Sequence, residues 1–261
     1  MTTPLLDARA VTVQFGGVVA LEGVDFAANE GAIVGLVGPN GAGKTTLFGI
    51  LSGLIRPKAG RVTLANVDIT SMSPQKRTRL GLARTFQRLE LFGEMTVREH
   101  LVVAHRVRHR RDRMLARDLL GLGSRPSPSE DDAVDGILAL LGLAAVAEQP
   151  VVLLPLGTGR IVEIARALAT EPRVVLLDEP TSGLDVHETA QVAAALRGTR
   201  DERGVAFVVV EHDVELVLEI SEAITVLDFG KVIAQGSPSD IRSSAEVQAA
   251  YLGSTADSGT S

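Results

Sequence analysis

The chain contains no cysteine. That absence removes disulfide frameworks, thiolate metal sites and cysteine nucleophiles, and it suits a reducing compartment. No uninterrupted apolar run approaches the roughly eighteen residues of a membrane-spanning helix. The opening residues, Met-Thr-Thr-Pro-Leu-Leu-Asp, lack a basic region followed by an apolar core. A soluble, cytoplasmic protein is therefore expected. Positive charge is also in deficit: 26 Lys and Arg stand against 32 Asp and Glu, a formal net charge of −6. This balance gives no general attraction to nucleic acid, which is not expected as a partner. Internal repeats and low-complexity blocks are missing too. What is present is a chain of 261 residues, 45% apolar, long enough for one large domain or a domain with an embedded subdomain.

The most informative stretch reads Gly38-Pro39-Asn40-Gly41-Ala42-Gly43-Lys44-Thr45-Thr46. It has the spacing of a phosphate-binding loop: a glycine, four free positions, then Gly-Lys-Thr. An apolar run at 32–37 precedes it, suited to a buried parallel strand, and 47–51 after it suits a helix. The loop thus joins a strand to a helix N-terminus. There Gly41 and Gly43 let the backbone approach an anion, and the first helical N–H groups and the helix dipole favour phosphate. Lys44 is expected on the outer phosphates and the Thr45 hydroxyl on Mg²⁺.

Upstream, 8–15 and 18–26 alternate as strands around Gly16-Gly17. Phe15, taken by itself, reads as a core residue rather than a nucleotide contact. Residues 60–69 read as a hairpin around Ala65-Asn66, and Ser73-Pro74 as an N-cap opening a helix to about Leu80. A short extended segment, 82–86, ends at Gln87. Thr96-Val97-Arg98-Glu99 is a capping box, and the helix it starts leads into a basic stretch, 105–117, with Arg106, Arg108, Arg110, Arg111 and Arg113. Without interleaved aromatic residues the stretch reads as a solvated helical face. Ser129 is expected to cap a helix whose first turn carries Glu130, Asp131 and Asp132 and which stops at Gly142.

The run 174–177 is too continuously apolar for a half-exposed strand and belongs inside a parallel sheet. Asp178 and Glu179 follow it, at the strand end where open α/β sheets bind ligands. A helix over 186–203 and a buried strand over 205–210 repeat the arrangement and place His212 at the next strand end. Phosphate loop, acidic pair and histidine together make a candidate site. A last strand pair turns at Phe229-Gly230, two short helices follow, and 254–261 is expected to be a disordered tail.

In this order the motifs resemble the nucleotide-binding subunit of ATP-binding cassette (ABC) transporters over nearly the whole chain. Arg84-Thr85-Phe86-Gln87 is similar to the family's glutamine loop, which senses Mg²⁺ and touches the transmembrane partner. Ser182-Gly183-Leu184-Asp185 is similar to the loop linking the two ATPases of a dimer, and His212 to the switch histidine that contacts the γ-phosphate. The resemblance further implies that Phe15 stacks on adenine, that Asp178 holds Mg²⁺ through water, and that Glu179 polarises the attacking water. The family signature, usually Leu-Ser-Gly-Gly-Gln, is in register with Leu154-Pro155-Leu156-Gly157-Thr158, where only Leu154 and Gly157 agree. The signature serine serves the γ-phosphate bound by the opposite subunit; Pro155 has neither hydroxyl nor N–H to offer.

A Leu-Pro-aromatic-Gly version of this motif, with Leu156 here in place of the aromatic residue, the segments 79–87 and 227–234, and the ending Ala250-Tyr251-Leu252-Gly253 resemble the longer ATPase subunit of branched-chain amino acid importers. The implied fold is an α/β P-loop NTPase with a mixed parallel core sheet, an antiparallel N-terminal β subdomain and an inserted helical subdomain. Residues 1–253 are expected to form the ATPase domain. Its catalytic core is 1–88 and 153–235, its helical subdomain starts over 89–152, and its C-terminal helices are 236–253. ATP and Mg²⁺ are the implied cofactors. The implied partners are transmembrane permease subunits, a second ATPase or itself in a head-to-tail dimer, and indirectly a solute-binding protein. The implied location is the cytoplasmic face of the membrane, peripherally bound. Alternatives are a urea or short-chain amide importer, a soluble ATPase outside transport, and a degenerate nucleotide-binding partner subunit.

Overall fold

The computed structural model describes residues 3–85, 90–109 and 128–256. Strands β1 (Leu6–Phe15) and β2 (Val18–Ala28) pair antiparallel across Gly16-Gly17, with Phe15 opposite Val18. After the phosphate loop the chain returns as β4 (Ala59–Leu64) and β5 (Val67–Asp68), completing a four-stranded sheet of order β2-β1-β4-β5. The tight turn between β4 and β5 holds both central residues, Ala65 and Asn66, at positive φ, the conformation of the hairpin turn that follows strand twist.

The second sheet has six strands in the order β10-β9-β3-β8-β7-β6. Its members are β3 (Ile33–Val37), β6 (Leu82–Arg84), β7 (Val174–Asp178), β8 (Ala206–Val210), β9 (Ala223–Asp228) and β10 (Lys231–Gly236). All neighbours pair parallel except β9 and β10. Every residue of β3, β7 and β8 is buried, as their unbroken apolar runs require.

The two-residue period of a strand divides these side chains between the faces. Leu36, Leu176 and Val208 pack towards helix α1 (Lys44–Ser52) and the antiparallel sheet. Leu177, Phe207 and Val209 pack on the opposite face, in one apolar cluster with four helices: α3 (Val97–His109), α4 (Pro128–Leu140), α5 (Leu156–Leu168) and α6 (Val186–Arg203). A third cluster joins Val37 and Val226 to α7 (Val214–Ile220), α8 (Pro238–Ser243) and α9 (Ala245–Ala256). The short helix α2 (Pro74–Arg79) lies between β5 and β6 in the chain.

Several local expectations are met atom by atom. Thr96 Oγ1 accepts from the Glu99 amide at 3.2 Å, while Glu99 accepts from the Thr96 amide at 2.8 Å, forming the capping box of α3. Others are corrected. Ser73 makes no side-chain cap bond; Pro74, whose ring fixes φ, starts α2. Ser129 lies inside the first turn of α4, which already includes Pro128. Arg106 is not on a solvated face: it is buried and donates to Glu130 Oε1 at 3.0 Å, so the charge expected to serve the helix dipole of α4 pairs with α3. Arg110, Arg111 and Arg113 lie outside the described residues. Helix α9 runs to Ala256, three residues past the expected end of the fold, and 257–261 lie outside the described residues.

Candidate nucleotide site

The phosphate loop leaves β3 and enters α1 through two glycines that no other residue could replace unchanged. Gly38 has φ 152°, and a Cβ there would stand 2.1 Å from the Leu227 carbonyl oxygen; Gly43 has φ 104°, and its Cβ would stand 2.6 Å from Leu21. The loop is held from outside, with the Gly230 amide donating to Ala42 O at 3.0 Å. Lys44 is buried and folds back over the loop, donating to Gly38 O at 2.5 Å and Pro39 O at 2.9 Å. Burial lowers its pKa, and the nearby Glu179 carboxylate opposes that shift. Thr45, one residue on, is exposed.

The loop forms one wall of a cleft of about 500 Å³; Val18 and Val19 of β2, Glu179, His212 and Phe229 line the rest. Asp178 and Glu179 close β7. Burial raises the pKa of Asp178, Arg84 opposes this, and the neighbouring Glu179 adds to it. Glu179 has φ 48°, left-handed for a non-glycine residue, and its amide donates to Val210 O at 2.9 Å. That turn brings its Oε1 to 2.7 Å from Nε2 of His212, at the end of the adjacent strand β8.

Phe15 is about half exposed at the end of β1, so its reading as a core residue is overturned, yet it is not among the residues lining the cleft; its partner Val18 is. Gln87 lies outside the described residues. The signature residues do not line the cleft either. Leu154 packs on the helical cluster, Pro155 is the N-cap of α5, and the Gly157 amide donates to Glu188 Oε1 at 3.1 Å. Glu188 also completes the capping box with Asp185 at the start of α6. Within one chain, therefore, Glu188 joins Gly157 to Asp185, and none of Leu154, Gly157 and Asp185 lines the cleft of the phosphate loop.

Three functional neighbours were not singled out from the sequence. Glu211, the buried residue before His212, accepts from the Thr181 amide at 2.8 Å and from Thr181 Oγ1 at 2.7 Å, tying the loop after Glu179 to the histidine segment. Glu188 bridges the signature to Asp185. Arg84 reaches Asp178. The available signals were a charge at the end of an apolar strand, as Arg84 closes 82–84 and Glu211 follows 206–210, and for Glu188 the capping-box spacing from Asp185.

The donor set fits a nucleotide with its cation. Among the described residues no group of three or more His, Cys, Asp or Glu is placed to hold a metal by itself. A hydroxyl and a carboxylate beside a phosphate cradle suit Mg²⁺, which keeps waters and shares its ligands with phosphates. A parallel-sheet domain with this loop, a strand-end acidic pair and a facing histidine is a P-loop nucleotide-binding cassette.

Comparisons with known proteins refine that class. Residues 21–182 match the family model described as ABC transporter, and 231–257 match one described as branched-chain amino acid ATP-binding cassette transporter. The chain is 38% identical to the high-affinity branched-chain amino acid transport ATP-binding protein BraF of Pseudomonas aeruginosa, over 97% of this chain and 99% of BraF. It is 36% identical to LivG of Escherichia coli, a protein of the same description, with the same coverage. Among solved structures it matches the ADP conformation of MJ1267, an ATP-binding cassette of an ABC transporter. The TM-score is 0.85 at 28% identity, covering 97% of this chain and 100% of that one. The dimeric structure of the ABC transporter cassette MJ0796 matches with TM-score 0.73 at 25% identity, covering 89% and 98%. The chain belongs to the ATP-binding subunits of ABC transporters, in the branch of BraF and LivG.

Proposed function

We propose that this chain hydrolyses ATP to power an importer of branched-chain amino acids, acting on the cytoplasmic face of the membrane in a dimer of cassettes. The observation that carries the hydrolytic reading is the 2.7 Å contact between Glu179 and His212 in the cleft that Lys44 and Thr45 also line. The substrate reading rests on the match over 231–257 and on the likeness to BraF and LivG across the whole chain. Urea or amide import is the lesser reading, since no observation favours it.

In the reaction the loop amides and the N-terminus of α1 bind the β- and γ-phosphates, and Lys44 moves from its carbonyl partners to the phosphate oxygens. Thr45 and Asp178 would hold Mg²⁺, and the ion would supply neutralisation of the charge on the phosphate oxygens. Glu179 orients water for in-line attack and takes up its proton, and His212 donates to the γ-phosphate. Phe15 supports the adenine at the edge of the cleft, and by the family resemblance Gln87 would link the cation to the permease. Leu154, Gly157 and Asp185 face the nucleotide of the opposing cassette.

No described helix is long and apolar enough to cross a membrane. We assign the passage itself to a separate permease. We assign its docking to an apolar groove of about 270 Å³ between α3 and the core, lined by Phe92, Met95, Val103 and Val107. Phe92, Val103 and Val107 are exposed there. The deciding experiment is reconstitution in proteoliposomes with the permease subunits and solute-binding protein. ATP-dependent uptake of leucine, isoleucine and valine is expected, and uptake of urea instead overturns the substrate reading.

A further inference from the structure

Arg84 closes β6, one strand from Asp178, and its guanidinium reaches both the strand end and helix α1, while its Nε donates to Thr85 O at 3.3 Å. It donates from Nη2 to Asp178 Oδ2 at 3.0 Å and from Nη1 to Ser52 Oγ at 3.0 Å, and its carbon centre stands 4.7 Å over the ring of Phe48. Both members of the ion pair are largely buried, with side-chain exposures of 15% and 10%. Phe48 and Ser52 follow Thr45 on α1 at the three- and four-residue steps that keep side chains on one helix face. One planar cation therefore spans the strand end that carries Asp178 and the helix face that begins at Thr45. The fork has no equivalent in lysine, which is a point charge without fixed donor directions.

We propose that Arg84 is the positioning residue of the cation half of the site. By holding one oxygen of Asp178 against the face of α1, it fixes the separation between the carboxylate and the Thr45 hydroxyl at which Mg²⁺ is shared with the nucleotide. This rests on the reading that Thr45 and Asp178 hold Mg²⁺. Outer partners of metal ligands commonly contribute ten- to a hundredfold in metal affinity by fixing ligand orientation.

The test is equilibrium binding of a fluorescent ATP analogue to the purified full-length chain, once in EDTA and once in saturating Mg²⁺. The ratio of the two Kd values is the gain that Mg²⁺ brings. In Arg84→Met this ratio is expected to fall about tenfold, with the Kd in EDTA unchanged, and in Arg84→Lys to fall by a smaller factor. Thermal unfolding of each variant is measured alongside. A lowered midpoint with the full Mg²⁺ gain retained means that Arg84 only supports the fold, and overturns the proposal. If Arg84→Met does not fold, Arg84→Lys decides alone, and an unchanged ratio there overturns it. Asp178→Asn separates the two readings. A reduced ratio in that variant with normal ratios in both Arg84 variants defeats the role of Arg84 alone; an unchanged ratio in Asp178→Asn removes Asp178 from the cation and this proposal with it.

Discussion

Oε1 of Glu179 and Nε2 of His212 stand 2.7 Å apart, joining the ends of two adjacent parallel strands across the mouth of the phosphate loop. Glu179 reaches this position by adopting φ 48°, a backbone cost of about 1–3 kcal/mol that the surrounding structure sustains. Glu179→Gln keeps the size and an amide oxygen as acceptor while removing the carboxylate proposed as the base. Hydrolysis is expected to fall by roughly 10²–10⁴-fold with nucleotide affinity retained, leaving an ATP-bound closed dimer. Steady-state phosphate release together with size-exclusion chromatography reads both, and turnover at the wild-type rate removes Glu179 from this role.

The signature turn offers a gain-of-function test. Pro155 occupies the N-cap of α5 and brings no hydroxyl to it. In the proposed dimer, Pro155→Ser would supply a donor for the phosphate held by the opposing cassette. A hydrogen bond to a charged group of roughly 1.5–3 kcal/mol corresponds to a dimer tightened about tenfold or more. Light scattering of the Glu179→Gln protein with and without Pro155→Ser, across a range of ATP concentrations, measures the change. A dimer of equal or lower affinity contradicts the assignment of 154–158 to the neighbour's nucleotide.

Stability depends on a cation far from the chemistry. Arg77 is 1% exposed and donates to four backbone oxygens: Ile50 at 2.6 Å, Leu51 at 2.7 Å, Met72 at 3.1 Å and Thr70 at 3.2 Å. Burial holds its pKa down to about 10, against the pull of Asp68, so it is charged at neutral pH. Arg77→Met leaves those carbonyls without their donor in a closed space, and a loss of about 3 kcal/mol is expected from urea denaturation. A loss under about 1 kcal/mol means that water replaces the guanidinium.

The buried carboxylate of Glu211 sets a pH dependence of unusual sign. Burial raises its pKa, outweighing the hydrogen bonds from Thr181 and His212. The folded chain then keeps this proton at pH values where the unfolded chain has released it. Since the native state binds more protons in that window, stability falls as pH rises from the ordinary glutamate value to the raised one, and is level above it. Glu211→Gln cannot titrate, so its stability is expected to fall less steeply across the same window. Urea denaturation at pH steps from about 4 to 7 gives the two slopes, with equal slopes ruling the residue out as their source.

Much of this architecture was legible because burial on both faces writes an unbroken apolar run. Residues 174–177 and 205–210 therefore announced their strands, and α6 spans the 186–203 expected from its pattern. The phosphate loop was equally plain, since its glycines answer to local backbone geometry. The contacts made by Arg84, Arg77 and Glu211 were not readable. Their distant partners lie 26 positions away for Arg77 and Leu51, 30 for Glu211 and Thr181, and 94 for Arg84 and Asp178, so those contacts depend on the packing of whole elements. Phe15 by itself read as a core residue because an aromatic closing a strand ordinarily faces one; only the family resemblance placed it on adenine, and it is exposed. Arg106 misled because its carboxylate partner lies on the next described helix.

The clamp of Arg77 on Ile50 and Leu51 acts at the carboxyl end of the same helix whose amino end is the phosphate loop. A helix carries partial negative charge at the first of these ends and partial positive charge at the second. The protein thus supplies a permanent counter-ion at one pole and leaves the other to the nucleotide. In electrostatic terms α1 is a half-neutralised dipole, and an arriving triphosphate completes a charge balance that the fold has settled on the far side.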